Sequence, residues 1–235
     1  MTISTEYGTA SRSSSATRLE APLISEVTLR AVPRRTLYGR LVKRPLDICV
    51  ALAAIILLSP IMVTVALAIP FLLGPGGVVY KQERVGRGGK PFTILKFRSM
   101  MVDRRERDIG YGGIDRRQTH KSGNDPRHRP FGQFIRAFSL DELPQFINIL
   151  RGDMSLVGPR PEITDVARKF GYLNHPRNLT RPGLTGEFQV SELRATNQLS
   201  AGLHLDIDYV VDVSVARDLK ILLRTLTIPF ARRGS

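Results

Sequence analysis

The sequence predicts a mainly α-helical protein with a small β-hairpin, held at a membrane by a re-entrant helix that enters and leaves on one side. Three observations predict it. The run 48–73, ICVALAAIILLSPIMVTVALAIPFLL, carries no charge and, at about 1.5 Å per residue, is long enough to cross a hydrocarbon core of about 30 Å. A Ser-Pro pair, Ser59 and Pro60, lies near its middle, and basic residues stand on both sides. Downstream, two short strand-like runs flank a glycine-rich loop, and the remaining periodic segments have helical spacing.

The apolar run comes first. The insertion gain of its Ile, Leu, Val, Met and Phe residues exceeds the cost of an interior proline, about 3 kcal/mol. Pro60 lacks the N–H that would bond the Ile56 carbonyl and its ring crowds that carbonyl, so a sharp kink is expected there. The Ser59 hydroxyl is placed to bond back to a freed carbonyl. Arg34, Arg35, Arg40, Lys43 and Arg44 precede the run, and Lys81, Arg84, Arg87 and Lys90 follow it. The positive-inside rule keeps both flanks on the cytoplasmic side, which a helix bent at Ser59-Pro60 satisfies and a straight span does not.

Three segments follow from this division. Residues 1–34, rich in Ser, Thr, Ala and Arg, are expected to form a disordered tail without the apolar core of a signal peptide. Residues 35–74 form the membrane-associated re-entrant helix, and 75–235 a cytoplasmic catalytic domain. Within the last, 74–77 is a turn, 78–82 and 91–100 are strands, and RVGRGG between them is a loop but not a P-loop, because no Gly-Lys-Ser/Thr element follows. Lys96 and Arg98 share one strand face, which is either an anion site or a solvated strand edge. Residues 102–130 are expected to be a charged surface loop, 162–172 a short helix and 181–186 a tight turn headed by Arg181. One or two amphipathic helices over 203–228 are expected to pack on the core or lie in the membrane interface.

The stretch 138–161, FSLDELPQFINILRGDMSLVGPRP, carries the chemistry. Leu143, Phe146, Ile147 and Leu150 have the spacing of one buried helical face, with Gly152 as the stop, which places Asp141 and Glu142 in the first turn. The structural reading of this pair is helix capping: Ser139 followed by Glu142 is a capping-box pattern, and acids suit a helix N-terminus. Cations nearby favour a functional reading. Arg136, Arg151 and Arg160 around a helix start describe a phosphate site.

Composition narrows the partner. The chain of 235 residues has net charge +14 and a pI near 10.7, which calls for nucleic acid, acidic lipid or phosphorylated substrate. One cysteine, Cys49, rules out an intrachain disulfide, and His120, His128, His175 and His204 lack metal-ligand spacing and are expected at the surface.

Taken together, KRPLDI, QERVGRGGKPFTILKFRSM, FIRAFSLDELPQFINILRGDMSLVGPRP and RPGLTGEFQV resemble the bacterial sugar transferases that are monotopic polyprenyl-phosphate phosphoglycosyl transferases. The resemblance runs from about Lys43 to the C-terminus and covers the catalytic core. It implies transfer of a sugar 1-phosphate from a UDP-sugar to undecaprenyl phosphate at the cytoplasmic face of the bacterial inner membrane, with release of UMP and initiation of an exopolysaccharide or other surface glycan. It also implies Asp141 as nucleophile, Glu142 as ligand of a Mg²⁺ cofactor, and Lys96, Arg136, Arg160 and Arg181 as phosphate-neutralising residues, with Arg98 beside them. Glu187 and the 191–193 segment depart from the family pattern in a region tied to substrate recognition. Homo-oligomerisation is left open.

Two other classes fit parts of the sequence. A metal-dependent phosphodiesterase using the same acids would release sugar phosphate without a lipid acceptor. A membrane-tethered nucleic-acid-binding or scaffold protein would use the positive charge, but Trp is absent and aromatics make up only 7%, too few for stacking platforms, so no nucleic-acid partner is expected.

Overall fold

The computed structural model describes residues 36–101, 129–191 and 199–231. The 1–34 tail, most of the 102–130 loop, His120, His128, the 192–193 part of the family departure and the basic close at Arg232 and Arg233 lie outside the described residues.

Helix α1 (Lys43–Leu72) follows a π-helical turn over Tyr38–Val42. Its apolar residues surround the axis. Lys43, Asp47, Ala51, Val65 and Ile69 face the protein, whereas Ile56, Leu57, Val63, Leu67 and Phe71 are exposed. Protein buries only 11% of its most apolar stretch, and among the described residues it is the one helix long and apolar enough to cross a membrane. A helix that is apolar all round and uncovered by protein calls for lipid. The helical backbone continues through Ser59 and Pro60. As expected, the Ser59 hydroxyl donates to the carbonyl that Pro60 leaves unpaired, that of Ile56, at 2.8 Å.

Both ends of α1 are fastened to the rest of the protein by charge. At the start, Lys43 forms a buried ion pair with Asp218, Arg44 donates to the Ile149 and Leu150 carbonyls, and Asp47 accepts from the Leu156 N–H. At the far end, Arg98 donates to the carbonyls of Leu73, Gly74 and Pro75. The C-terminal carbonyls of a helix have no partners within it, and a guanidinium satisfies several at once.

Strands β1 (Val79–Val85) and β2 (Pro91–Phe97) pair antiparallel, Val79 opposite Phe97 and Val85 opposite Pro91, around the expected glycine loop. Helix α2 (Pro130–Ala137) packs closely on the chain after β2: a Cβ at Gly132 would come within 2.0 Å of the Ser99 carbonyl oxygen. A 3-10 turn over Leu140–Glu142 leads to α3 (Gln145–Arg151), which stops at Gly152 in the left-handed region, φ 92°. Strand β3 (Ser155–Val157), helix α4 (Thr164–Lys169), strand β4 (Gly183–Thr185) and helices α5 (Glu187–Val190), α6 (Leu199–Val211) and α7 (Val215–Ala231) complete the chain.

Three expectations are corrected. Residues 181–186 are not simply a tight turn: β4 pairs in parallel with β3, Ser155 opposite Gly183 and Val157 opposite Thr185. Gly183 permits the approach, since a Cβ there would lie 2.1 Å from the Gly158 nitrogen. The fully buried residues of α3 are Gln145, Asn148 and Ile149; of the expected face, Leu143, Phe146 and Leu150 are half-buried and pack against the apolar clusters, and Ile147 is half-buried. His175 is buried, its Nδ1 accepting the Arg177 N–H, and burial together with the Arg177 charge lowers its pKa to about 4. His204 is exposed as expected.

Two apolar clusters carry the packing. One contains Ala51 of α1 with Ile94, Ile149, Leu156, Tyr209 and Ile221; the other contains Val65, Ile69 and Leu73 with Phe97 and Ile135. The two halves of α1 therefore feed different clusters that share strand β2. Helix α7 buries Asp218 and Ile221 and exposes Val215, Leu219, Leu223 and Leu226 along one face.

Candidate active site

The acidic pair sits in the 3-10 turn before α3, not in the first turn of a helix, and the capping box is not formed. Pro144 explains this. A helix capped at Ser139 would need a Pro144 N–H for the Leu140 carbonyl, and proline has none. The Leu143 N–H bonds Leu140 at 3.3 Å instead, and α3 restarts after Pro144. Ser139 reverses the chain with φ 56°, unusual for a residue with a side chain, and makes no side-chain cap. Glu142 is thereby released toward other partners.

Those partners are cations from two other segments. Lys96 of β2 bonds Glu142 Oε1 at 2.7 Å, and Arg160, from the loop after β3, reaches the same oxygen at 3.5 Å. Burial alone would raise the Glu142 pKa; the charges and hydrogen bonds of Lys96 and Arg160 outweigh it and hold Glu142 at about 2. Lys96 itself is lowered, because its burial exceeds the pull of Glu142.

Asp141 behaves in the opposite way. It is 9% exposed, and among the described residues its carboxylate accepts no hydrogen bond. Burial and the neighbouring Glu142 charge push it up to about 6 against the opposing pull of Lys96, Arg160 and Arg136. A carboxylate so placed is ionised at neutral pH and poorly solvated, which suits a nucleophile.

The remaining expected site residues divide. Lys96, Arg136 and Arg160 are brought to the acidic pair. Arg98 and Arg181 are not. Arg98 is buried on the carbonyls at the end of α1, and β2 ends before it, so the expected common face with Lys96 is not formed. Arg181 donates to the Gly152 carbonyl at 2.9 Å, at the end of α3, where Arg44 is also bound. Arg151, at the same helix end, is exposed. Glu187 pairs with Arg217 at 3.0 Å and ties α5 to α7.

Sequence reasoning passed over Gln145 and Arg177. Gln145 lines a narrow cleft with Arg84, Ile94, Lys96, Arg160 and Pro161. Its one available signal was its place four residues after Asp141, on the same helical face. Arg177 is buried, bonds the Arg160 carbonyl at 2.8 Å and pairs with Asp206 at 2.7 Å, so it holds the loop that presents Arg160. Its partners are distant in sequence and gave no signal.

The fold and site combine a long apolar helix that protein leaves largely uncovered with an acidic pair in a cationic setting. Residues 38–232 match the bacterial sugar transferase family, and the chain belongs to that family. It is 36% identical over 206 residues to a UDP-glucose:undecaprenyl-phosphate glucose-1-phosphate transferase of Escherichia coli, covering 84% of this chain and 42% of that protein. A protein of the same name from Caulobacter vibrioides is 43% identical over 193 residues, 78% of this chain and 68% of the relative. The exopolysaccharide production protein ExoY of Sinorhizobium fredii is 37% identical over 205 residues, 84% and 89% of the two chains. The chain spans less than half the length of several curated relatives it matches.

Proposed function

We propose that the protein transfers a sugar 1-phosphate from a UDP-sugar to undecaprenyl phosphate, releasing UMP and initiating an exopolysaccharide or related surface glycan. The observation that carries this reading is the unbonded, buried carboxylate of Asp141 beside a Glu142 that already holds two cations. The names of the Escherichia coli and Caulobacter relatives supply the donor and acceptor, and that of the Sinorhizobium relative the product class.

In this mechanism an Asp141 carboxylate oxygen attacks the β-phosphorus of the donor. The bond from that phosphorus to the bridging oxygen breaks, and its electron pair leaves with UMP. An oxygen of undecaprenyl phosphate then attacks the phosphorus of the aspartyl phosphosugar, and the carboxylate leaves as the lipid diphosphate sugar forms. Two steps spare the site from holding both anionic substrates at once. Lys96, Arg160 and Arg136 offset the charge that develops on the phosphoryl oxygens.

The acidic pair fits a Mg²⁺ ion. Glu142 stays ionised at working pH, both its cations share Oε1, and Asp141 adjoins it. Mg²⁺ takes one or two carboxylates and completes its shell with water and phosphate oxygens, so no third acidic or histidine ligand is needed. When bound, it would neutralise the donor diphosphate.

The same reading places the protein on one leaflet of the inner membrane, catalytic domain to the cytoplasm, with α1 bent at Ser59-Pro60. Support comes from the fastening of both ends of α1 to one body, the exposed middle and the hydroxyl bond at Ile56. The exposed apolar face of α7 would lie in the interface. Cysteines placed at Arg40 and Arg84 are expected to label from the cytoplasmic side only; labelling from opposite sides would contradict the bend.

The function is tested by UMP release from detergent-solubilised protein given Mg²⁺, undecaprenyl phosphate and a panel of UDP-sugars. Lipid-dependent release is expected. Release of sugar phosphate without lipid would instead identify a phosphodiesterase.

A further inference from the structure

Helix α3 carries two buried side-chain amides on one face, and they are treated differently. Asn148 is fully engaged: its Oδ1 accepts the Leu95 N–H at 2.9 Å, and its Nδ2 donates to the Thr93 carbonyl at 2.8 Å and to Asp153 at 3.2 Å. Gln145, one turn earlier, is 3% exposed, and its Nε2 has no acceptor among the described residues. A buried donor left unpaired is costly, whereas an apolar side chain of the same length would fill the position without that cost.

The cleft explains the expense. Gln145 lines it together with Lys96 and Arg160, the two cations on Glu142, and with Arg84, which donates to the Pro161 carbonyl on the same wall. The charged residues that line this cleft, Arg84, Lys96 and Arg160, are all cationic, so the lining is set to receive an anion. We infer that Gln145 is a substrate-contacting residue whose amide N–H donates to an oxygen of the donor's sugar-phosphate unit in this cleft.

The inference rests on the transfer reaction proposed above and adds a contact to it. The oxygen belongs either to the phosphoryl group or to a sugar hydroxyl, and both present the same acceptor chemistry. A substrate oxygen would complete the amide only in the complex, so binding energy is gained there at the expense of the unliganded fold.

The test measures kcat/KM and the melting temperature for wild type, Gln145→Met and Gln145→Glu, with two UDP-sugars that differ at one hydroxyl. Both variants keep the length of the side chain and remove the donor. Each is expected to lose about ten- to a hundredfold in kcat/KM, the worth of one hydrogen bond to a polar or charged oxygen. Gln145→Met is expected to melt no lower than wild type, because it removes an unpaired group. An equal loss with both donors assigns the oxygen to the phosphoryl group, and an unequal loss to the sugar. Wild-type kcat/KM in Gln145→Met, or a loss matched by a lower melting temperature, overturns the inference. Turnover by wild type in the same assay tests the reaction itself, so the two failures are separable.

Discussion

Two buried charge clusters stand in the same small domain, and they are completed to different degrees. Around Asp218, every strong donor finds the carboxylate: Lys43 pairs with it, and the hydroxyls of Tyr38 and Tyr209 each donate at 2.7 Å. Around the acidic pair, Glu142 takes Lys96 and Arg160 while Asp141 is buried with no hydrogen bond among the described residues. The first cluster joins α1 to α6 and α7. The second leaves one ionisable group and, beside it, one amide without partners. The completed cluster joins helices, and the proposed function assigns the incomplete one to the substrate.

The largest effect is expected where the incomplete group is removed. Asp141→Asn should reduce UMP release at least about a thousandfold while melting at or above the wild-type temperature, because a buried charge is relieved. A comparable loss of activity with a lower melting temperature would place Asp141 in the structural class with Asp218.

Asp218→Ala is the converse experiment. It strands Lys43 and two tyrosine hydroxyls and should cost about 3–5 kcal/mol of stability by denaturant titration. The double variant Lys43→Met, Asp218→Leu should recover much of that, since a breached ion pair is worse than none. Failure to recover would mean that the pair does more than join helices.

Smaller effects sharpen the contrast within the acidic pair. Lys96→Met should lower kcat about a hundredfold, by removing a cation from the phosphoryl site and the main partner of Glu142. For pH, the nucleophile must be ionised. Its raised pKa of about 6 means that kcat/KM should fall about tenfold per pH unit below that point and level off above it, while Glu142, at about 2, adds no step. A profile flat down to pH 4.5 would contradict the assigned environment of Asp141. The smallest change is at Ser139: Gly should be tolerated at its φ of 56°, and Val should cost about 1 kcal/mol or more.

The long apolar helix and the β-hairpin were legible because their signals are local: an uncharged apolar run and glycines between strand-like segments. The Ser59 bond to the Ile56 carbonyl followed from the missing N–H of Pro60 alone. The same argument applied to Pro144 would have removed the capping box at Ser139, and the apolar spacing of 143–150 marked residues that pack at the edge of the core and not its most buried face. Asn148 fixes the orientation of α3 by bonding the backbone of β2, a contact across the sequence that outweighs the apolar pattern. The cationic residues showed the limit most clearly. Nothing local separates Lys96 and Arg160, which reach Glu142, from Arg98 and Arg181, which bond the carbonyls of helix ends. An unpaired donor such as that of Gln145 becomes visible only once the fold has denied it a partner.

The central claim, that the incomplete carboxylate of Asp141 is the nucleophile, is tested most directly by intact-mass measurement of the protein incubated with its UDP-sugar and Mg²⁺ in the absence of lipid acceptor. The account predicts a single added sugar phosphate, mapped to Asp141 after proteolysis, absent from Asp141→Asn and discharged when undecaprenyl phosphate is supplied. Lipid-dependent turnover without any such adduct, or an adduct that persists in Asp141→Asn, would contradict it.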